Sequence, residues 1–107
     1  MATSAEYIAK IQDKLNANPD LSKNINAVFQ FTINGDDGGV WTLDLTKSPG
    51  VITDGAAAKF DCNVILGAPD FEAMMNKTAN PMQLYMSQKL KVEGNLPLSL
   101  KLQDILK

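Results

Sequence analysis

Histidine and arginine are both absent from this sequence of 107 residues, and cysteine and tryptophan occur once each. Without His, the commonest general base and the commonest metal ligand are missing. The basic residues are all lysines, so the side chain that reads phosphate and guanine bidentately is missing too. With a net charge of −2 and a pI near 4.9, nucleic acid is not an expected partner. The lone Cys62 excludes an internal disulfide. No segment is long and apolar enough to span a bilayer, and no charged-then-apolar leader opens the chain. The protein therefore reads as soluble and intracellular. Any catalysis would rest on Asp, Glu, Lys, Tyr or Cys62. There is no metal-ligand spacing and no Gly-rich phosphate cradle, so no metal or cofactor is implied. That thin inventory favours a binding module over an enzyme.

Apolar residues make up 45% of the chain, enough for the core of one domain spanning 1–107. Thr3 and Glu6 match a capping box, and Ile8, Ile11 and Leu15 follow at helical spacing. Asn18-Pro19 closes that helix, and a short helical turn through Leu21 to Ile25 follows. Ala27 to Ile33 alternates, with Ala27, Phe29, Phe31 and Ile33 on one dry face. The turn residues 34–39 lead into a return strand in which Trp41, Leu43 and Leu45 point inward, which predicts a hairpin. Val51 to Thr53 reads as a short strand. Phe60, Cys62, Val64 and Leu66 then share one face of another, which puts Cys62 inside as an inert buried thiol. Leu90 and Val92 give the dry face of a final strand. Each strand has one dry and one mainly polar face, the pattern of an α+β sheet with helices on one side and water on the other.

Four of the five methionines, Met74, Met75, Met82 and Met86, lie between Phe71 and Met86. Thioether side chains fill irregular gaps and adapt to ligands of different shape, so the cluster reads as the wall of a soft apolar cavity. Asn80 and Pro81 restart a helix there as N-cap and first helical residue. The tail is ambiguous. Leu96, Leu98, Leu100 and Leu102 repeat as in a strand, whereas Leu98, Leu102, Ile105 and Leu106 fit a helical stripe. As a helix it leaves Leu96 and Leu100 on a second dry side, to be covered by another helix, a lipid or a second protein.

Phe60-Asp61-Cys62 to Leu66, Asp70-Phe71, Asn80-Pro81, the run Lys89-Leu90-Lys91-Val92-Glu93-Gly94-Asn95 and Lys101-Leu102-Gln103 occur in the order seen in the sterol carrier protein type 2 domain. Trp41 and Asp44 stand where that family has a Trp-x-x-Asp strand. From about Val28 onward the chain resembles this family. The resemblance implies a five-stranded, mainly antiparallel sheet with helices over one face, an apolar tunnel between them, and a helical tail. It implies a non-enzymatic carrier that takes fatty acids, fatty acyl-CoA, sterols or phospholipids and transfers them between membranes or to enzymes, with transient contact at a membrane surface. By position, Trp41, Phe71, Met75, Met82, Tyr85, Met86, Leu98, Leu102 and Ile105 become the expected lipid-binding residues. The alternative is a module that presents substrate to a lipid-metabolising enzyme. Three departures stand out. Gln88 occupies a place where the family often has Gly, and Met82 one where it often has Gln. Ile105-Leu106-Lys107 replaces the peroxisomal tripeptide of many members, which leaves the compartment open between peroxisome and cytoplasm.

Overall fold

The computed structural model describes residues 3–106; Met1, Ala2 and Lys107, the last residue of the C-terminal tripeptide, lie outside the described residues. In chain order the elements are α1 (Ser4–Ala17), α2 (Asp20–Ile25), β1 (Val28–Asn34), β2 (Gly39–Asp44), β3 (Val51–Asp54), β4 (Cys62–Gly67), α3 (Ala68–Met75), α4 (Pro81–Met86), β5 (Leu90–Gly94) and α5 (Leu96–Leu106). The strands form one sheet in the order β3-β2-β1-β4-β5. β1 and β4 run parallel, with Phe31 opposite Val64; the other three pairings are antiparallel. The α+β architecture and the helical tail are as the resemblance implies.

Local chemistry explains the boundaries. Thr3 caps α1 by accepting from the Glu6 amide at 3.2 Å, and Asn80 caps α4 by accepting from the Met82 amide at 2.8 Å. Asn95 Oδ1 accepts from the Leu98 amide at 3.2 Å at the start of α5. Gly94 has φ +98° and stands against the Asp61 carbonyl, where any Cβ would collide. That contact turns the chain tightly from β5 into α5.

α3 and α4 both end in a Schellman closure. Beyond α3, the amides of Thr78 and Lys77 donate to the carbonyls of Ala73 and Met74 at 2.9 and 3.1 Å. Beyond α4, those of Lys89 and Gln88 donate to Leu84 and Tyr85 at 2.9 and 3.1 Å. The pivot residues Lys77 and Gln88 have φ +63° and +65°. This is the left-handed position that favours glycine, which gives the physical reason for Gly in the family where Gln88 stands. Gln88→Gly is therefore expected to stabilise the fold by about 0.5–1 kcal/mol, after subtraction of glycine's extra freedom in the unfolded chain. A higher urea midpoint at unchanged slope is the check.

The covered face of the sheet carries Phe29, Phe31, Ile33, Leu43, Cys62 and Leu66, which meet Ile8, Ile11, Leu15, Phe71 and Ile105 in one core. Tyr7 and Ser4 complete the buried stripe of α1. α1 lies towards β3, α4 over β5, and α5 over β4 and β5. Gln12 ties α1 to the edge of the sheet: its amide donates to the Gly50 carbonyl at 2.8 Å and accepts from the Ile52 amide at 2.7 Å.

Two features differ from the alternation read in the sequence. The outer face is not wholly wet, because Gln30 and Asn63 are only 8% and 5% exposed. The connection from β3 to β4 crosses that face, and the Ala57 amide donates to Gln30 Oε1 at 2.9 Å. Burial is tolerated because the amides are bonded: Gln30 donates to Thr32, Thr32 to Asn63, and Asn63 to Glu93, at 3.3, 3.0 and 2.9 Å. Phe60 is 40% exposed, since β4 begins only at Cys62 and the bend before it breaks the parity.

Candidate functional site

Between the sheet and its helical cover lies an apolar cavity of about 150 Å³. Its floor is Val64 of β4 with Leu90 and Val92 of β5, all from the dry faces of their strands. Met74 closes one end from α3. Pro81, Met82 and Tyr85 of α4 form one side, and Leu96, Ser99, Leu100, Leu102, Gln103 and Leu106 of α5 the other. Met82, Tyr85, Leu96 and Leu100 are all exposed as well as lining, so the cavity reaches the surface between α4 and α5. A helix of six residues makes this mouth. Only Leu84 of α4 is buried, which leaves Met82 and Tyr85 along the rim. α5 places Leu102 inward while Leu96 and Leu100, its second dry side, face the cavity.

The nine residues singled out in the sequence divide. The cavity brings together Met82, Tyr85 and Leu102. Phe71 and Ile105 are buried in the core, Ile105 beneath a separate groove beside Leu21 and Ile25, while Met75 and Leu98 are half-buried against it. Trp41 is buried on the other side of the molecule, beside Ile8 and Ile52. Met86 is 76% exposed and lies in a shallow groove with Lys91 and Glu93. Of the methionine cluster, Met74 and Met82 touch the cavity. Val64, Leu90 and Val92 were visible in the sequence as dry-face positions within the resembling segments, not as expected lipid-binding residues. Leu96 and Leu100 stood out there as an uncovered side, Gln103 only as part of the Lys101-Leu102-Gln103 run, and nothing marked Ser99.

The titratable groups most open to a catalytic reading are committed elsewhere. Asp44 accepts from the amide of Thr46 at 2.9 Å and from its hydroxyl. The Thr46 hydroxyl bond holds the Asp44 carboxyl below its ordinary range against a small desolvation, helped by the amide and by Lys47. Asp61 Oδ2 accepts from the Val28 amide at 2.9 Å. Neither touches the cavity, and Lys59 is exposed away from it. Cys62 is fully buried. Burial first, and then the charge of Asp61, push its thiol from 9.0 up to about 11. The unfolded chain therefore releases this proton first as pH rises. The thiol's contribution to stability is complete below pH 9.0 and is lost between 9.0 and about 11. Wild type is expected to lose more stability than Cys62→Ala across that interval. At pH 7 the thiol should resist modification by a disulfide reagent until urea unfolds the chain.

No helix among the described residues is long and apolar enough to cross a membrane. A family model described as the SCP-2 sterol transfer family matches residues 8–107. Hydroxysteroid dehydrogenase-like protein 2 of Bos taurus is 36% identical over 88 residues, which cover 81% of this chain and 21% of that protein. Sterol carrier protein 2 of Homo sapiens is 31% identical over 86 residues, covering 78% of this chain and 16% of that protein. The chain thus spans about a fifth of the length of these curated relatives. Palmitated SCP2L2 from Aedes aegypti, solved in solution, superposes with a TM-score of 0.84 at 24% identity, covering 98% of this chain and 95% of that one.

Proposed function

The chain belongs to the SCP-2 sterol transfer family, and from that premise we propose that it is a non-enzymatic carrier of single acyl chains and related lipids. The observation that supports this most is the cavity: its walls are almost wholly hydrocarbon, and its mouth is rimmed by exposed apolar side chains. Each methylene transferred out of water contributes about 0.8 kcal/mol. A chain of about 16 carbons gains roughly 10 kcal/mol before ordering costs, in the range of micromolar binding. Apolar walls do not count methylenes sharply, so selectivity for chain length is low. The palmitate held by the Aedes aegypti relative is a ligand of this kind.

At 150 Å³ the cavity is smaller than the ~300–1,000 Å³ of pockets that enclose small molecules. Uptake therefore needs α4 and α5 to part. Met82, Tyr85, Leu96 and Leu100 would be the first side chains to meet a bilayer, where apolar rims are stabilised. Titration with a fluorescent fatty acid tests the reading. Saturable uptake at one site is expected, and its absence rejects the carrier.

A second reading is favoured by the length of the relatives. Because the chain spans about a fifth of proteins named as dehydrogenase-like, the same cavity could serve to present lipid to an enzyme. A stoichiometric partner in pull-down, with lipid uptake dependent on it, would select this reading.

A further inference from the structure

Met74, Pro81, Gln103 and Leu106, which line the apolar cavity on one side, also line a second groove of about 500 Å³ that is more polar than the cavity. That groove is walled by Lys77, Thr78 and Asn80 of the α3–α4 connection, with Gln83 of α4 and Gln103 of α5. Lys77 is the one charged residue lining either compartment among the described residues. Its ammonium, the Asn80 amide nitrogen and the side-chain amides of Gln83 and Gln103 make no hydrogen bond or ion pair within the protein among the described residues. We propose that the two compartments form one amphiphile site, with the acyl chain in the cavity and an anionic head in the groove facing Lys77. This rests on the carrier reading above.

A second observation points the same way. Lys77 holds the left-handed pivot beyond α3, at φ +63°, where glycine would be cheaper. A long cationic side chain thus stands at a position whose backbone favours glycine. The two Schellman bonds of that turn fix where the side chain leaves the backbone, on the wall of the groove. Among the described residues that line the two spaces the charge is Lys77's alone, and the amide N–H groups of Asn80, Gln83 and Gln103 add donors beside it.

The test is competition against a bound fluorescent fatty acid at low ionic strength and alkaline pH, with dodecanoate, dodecyl phosphate and dodecanol as probes. The wild type is expected to favour the two anions over the alcohol by about three- to tenfold, the range for one partly exposed charge contact. Added salt should shrink that preference. Lys77→Gly should abolish it without lowering the thermal midpoint, since glycine suits this pivot. Lys77→Arg should keep it. Equal competition by both anions assigns the site to charge alone, and an excess for the phosphate assigns it to a phosphoryl head. If all three probes compete but Lys77→Gly leaves the preference intact, or the wild type has none, the head-group site is overturned and the carrier stands. If the fluorescent fatty acid itself is not taken up, the carrier reading fails and the head-group site fails with it.

Discussion

Ser99→Phe is expected to abolish saturable lipid uptake and to leave the thermal midpoint unchanged or higher. Ser99 lines the cavity from α5, and its hydroxyl is turned back to the Leu96 carbonyl at 2.6 Å. The substitution therefore removes no bond between elements. An apolar cavity of about 150 Å³ is large enough for one benzene. A phenyl ring carried on position 99 would take that place, between Val64 and the rim of α4. Burying the ring adds hydrophobic stabilisation, offset by any overpacking. For the ligand the effect is large, because excluding only two methylenes costs about tenfold in affinity. Fluorescent fatty acid titration beside a thermal melt reads both quantities. Wild-type affinity in a folded Ser99→Phe protein would mean that lipid binds elsewhere, and the cavity would lose its role.

Phe71→Ala should do the reverse, with a stability loss of about 3–5 kcal/mol, a large share of the ~5–15 kcal/mol that holds a domain of this size. Phe71 is fully buried. Its ring meets Tyr7 edge-on at 6.2 Å and Phe31 at 6.0 Å, so one side chain joins α1, α3 and β1. The Tyr7 hydroxyl donates to Asn76 Oδ1 at 3.0 Å, which ties α1 to the end of α3 over the same contact. Removing the ring leaves a void that three elements cannot all move to fill. Urea denaturation measures the loss. Phe71→Leu, which keeps most of the volume, should recover much of the stability and bind lipid as wild type does. Reduced affinity in that folded variant would show that the ring reaches the ligand.

Phe71 also shows how far the sequence could be read. Alternation and helical spacing identify which side of an element is dry, and they did so for β1, β2, β4, β5 and α1. They do not separate a dry side chain that meets solid core from one that meets a cavity, because both are apolar for the same reason. Phe71 and Leu102 look alike in the sequence; only the packing puts the first in the core and the second at the cavity wall. α4 is too short for its spacing to choose an inner side, and Leu84 rather than Met82 or Met86 is buried there. The caps at Thr3 and Asn80 were legible because one side-chain oxygen bonds an amide two or three residues away. The crossover that covers Gln30 and Asn63 was not, since its cause is the parallel pairing of β1 with β4, more than thirty residues apart in the chain.

Among the described residues every wall of the cavity comes from β4 onward, from Val64 to Leu106. The two halves of the chain meet along the main-chain ladder joining β1 to β4 and through the side chains of Tyr7 and Phe31 against Phe71. On the carrier reading proposed above, ligand preference is written in one uninterrupted stretch, and the earlier residues serve as a foundation. A chimera that grafts that stretch from another family member onto this foundation should carry the donor's choice of lipid with it.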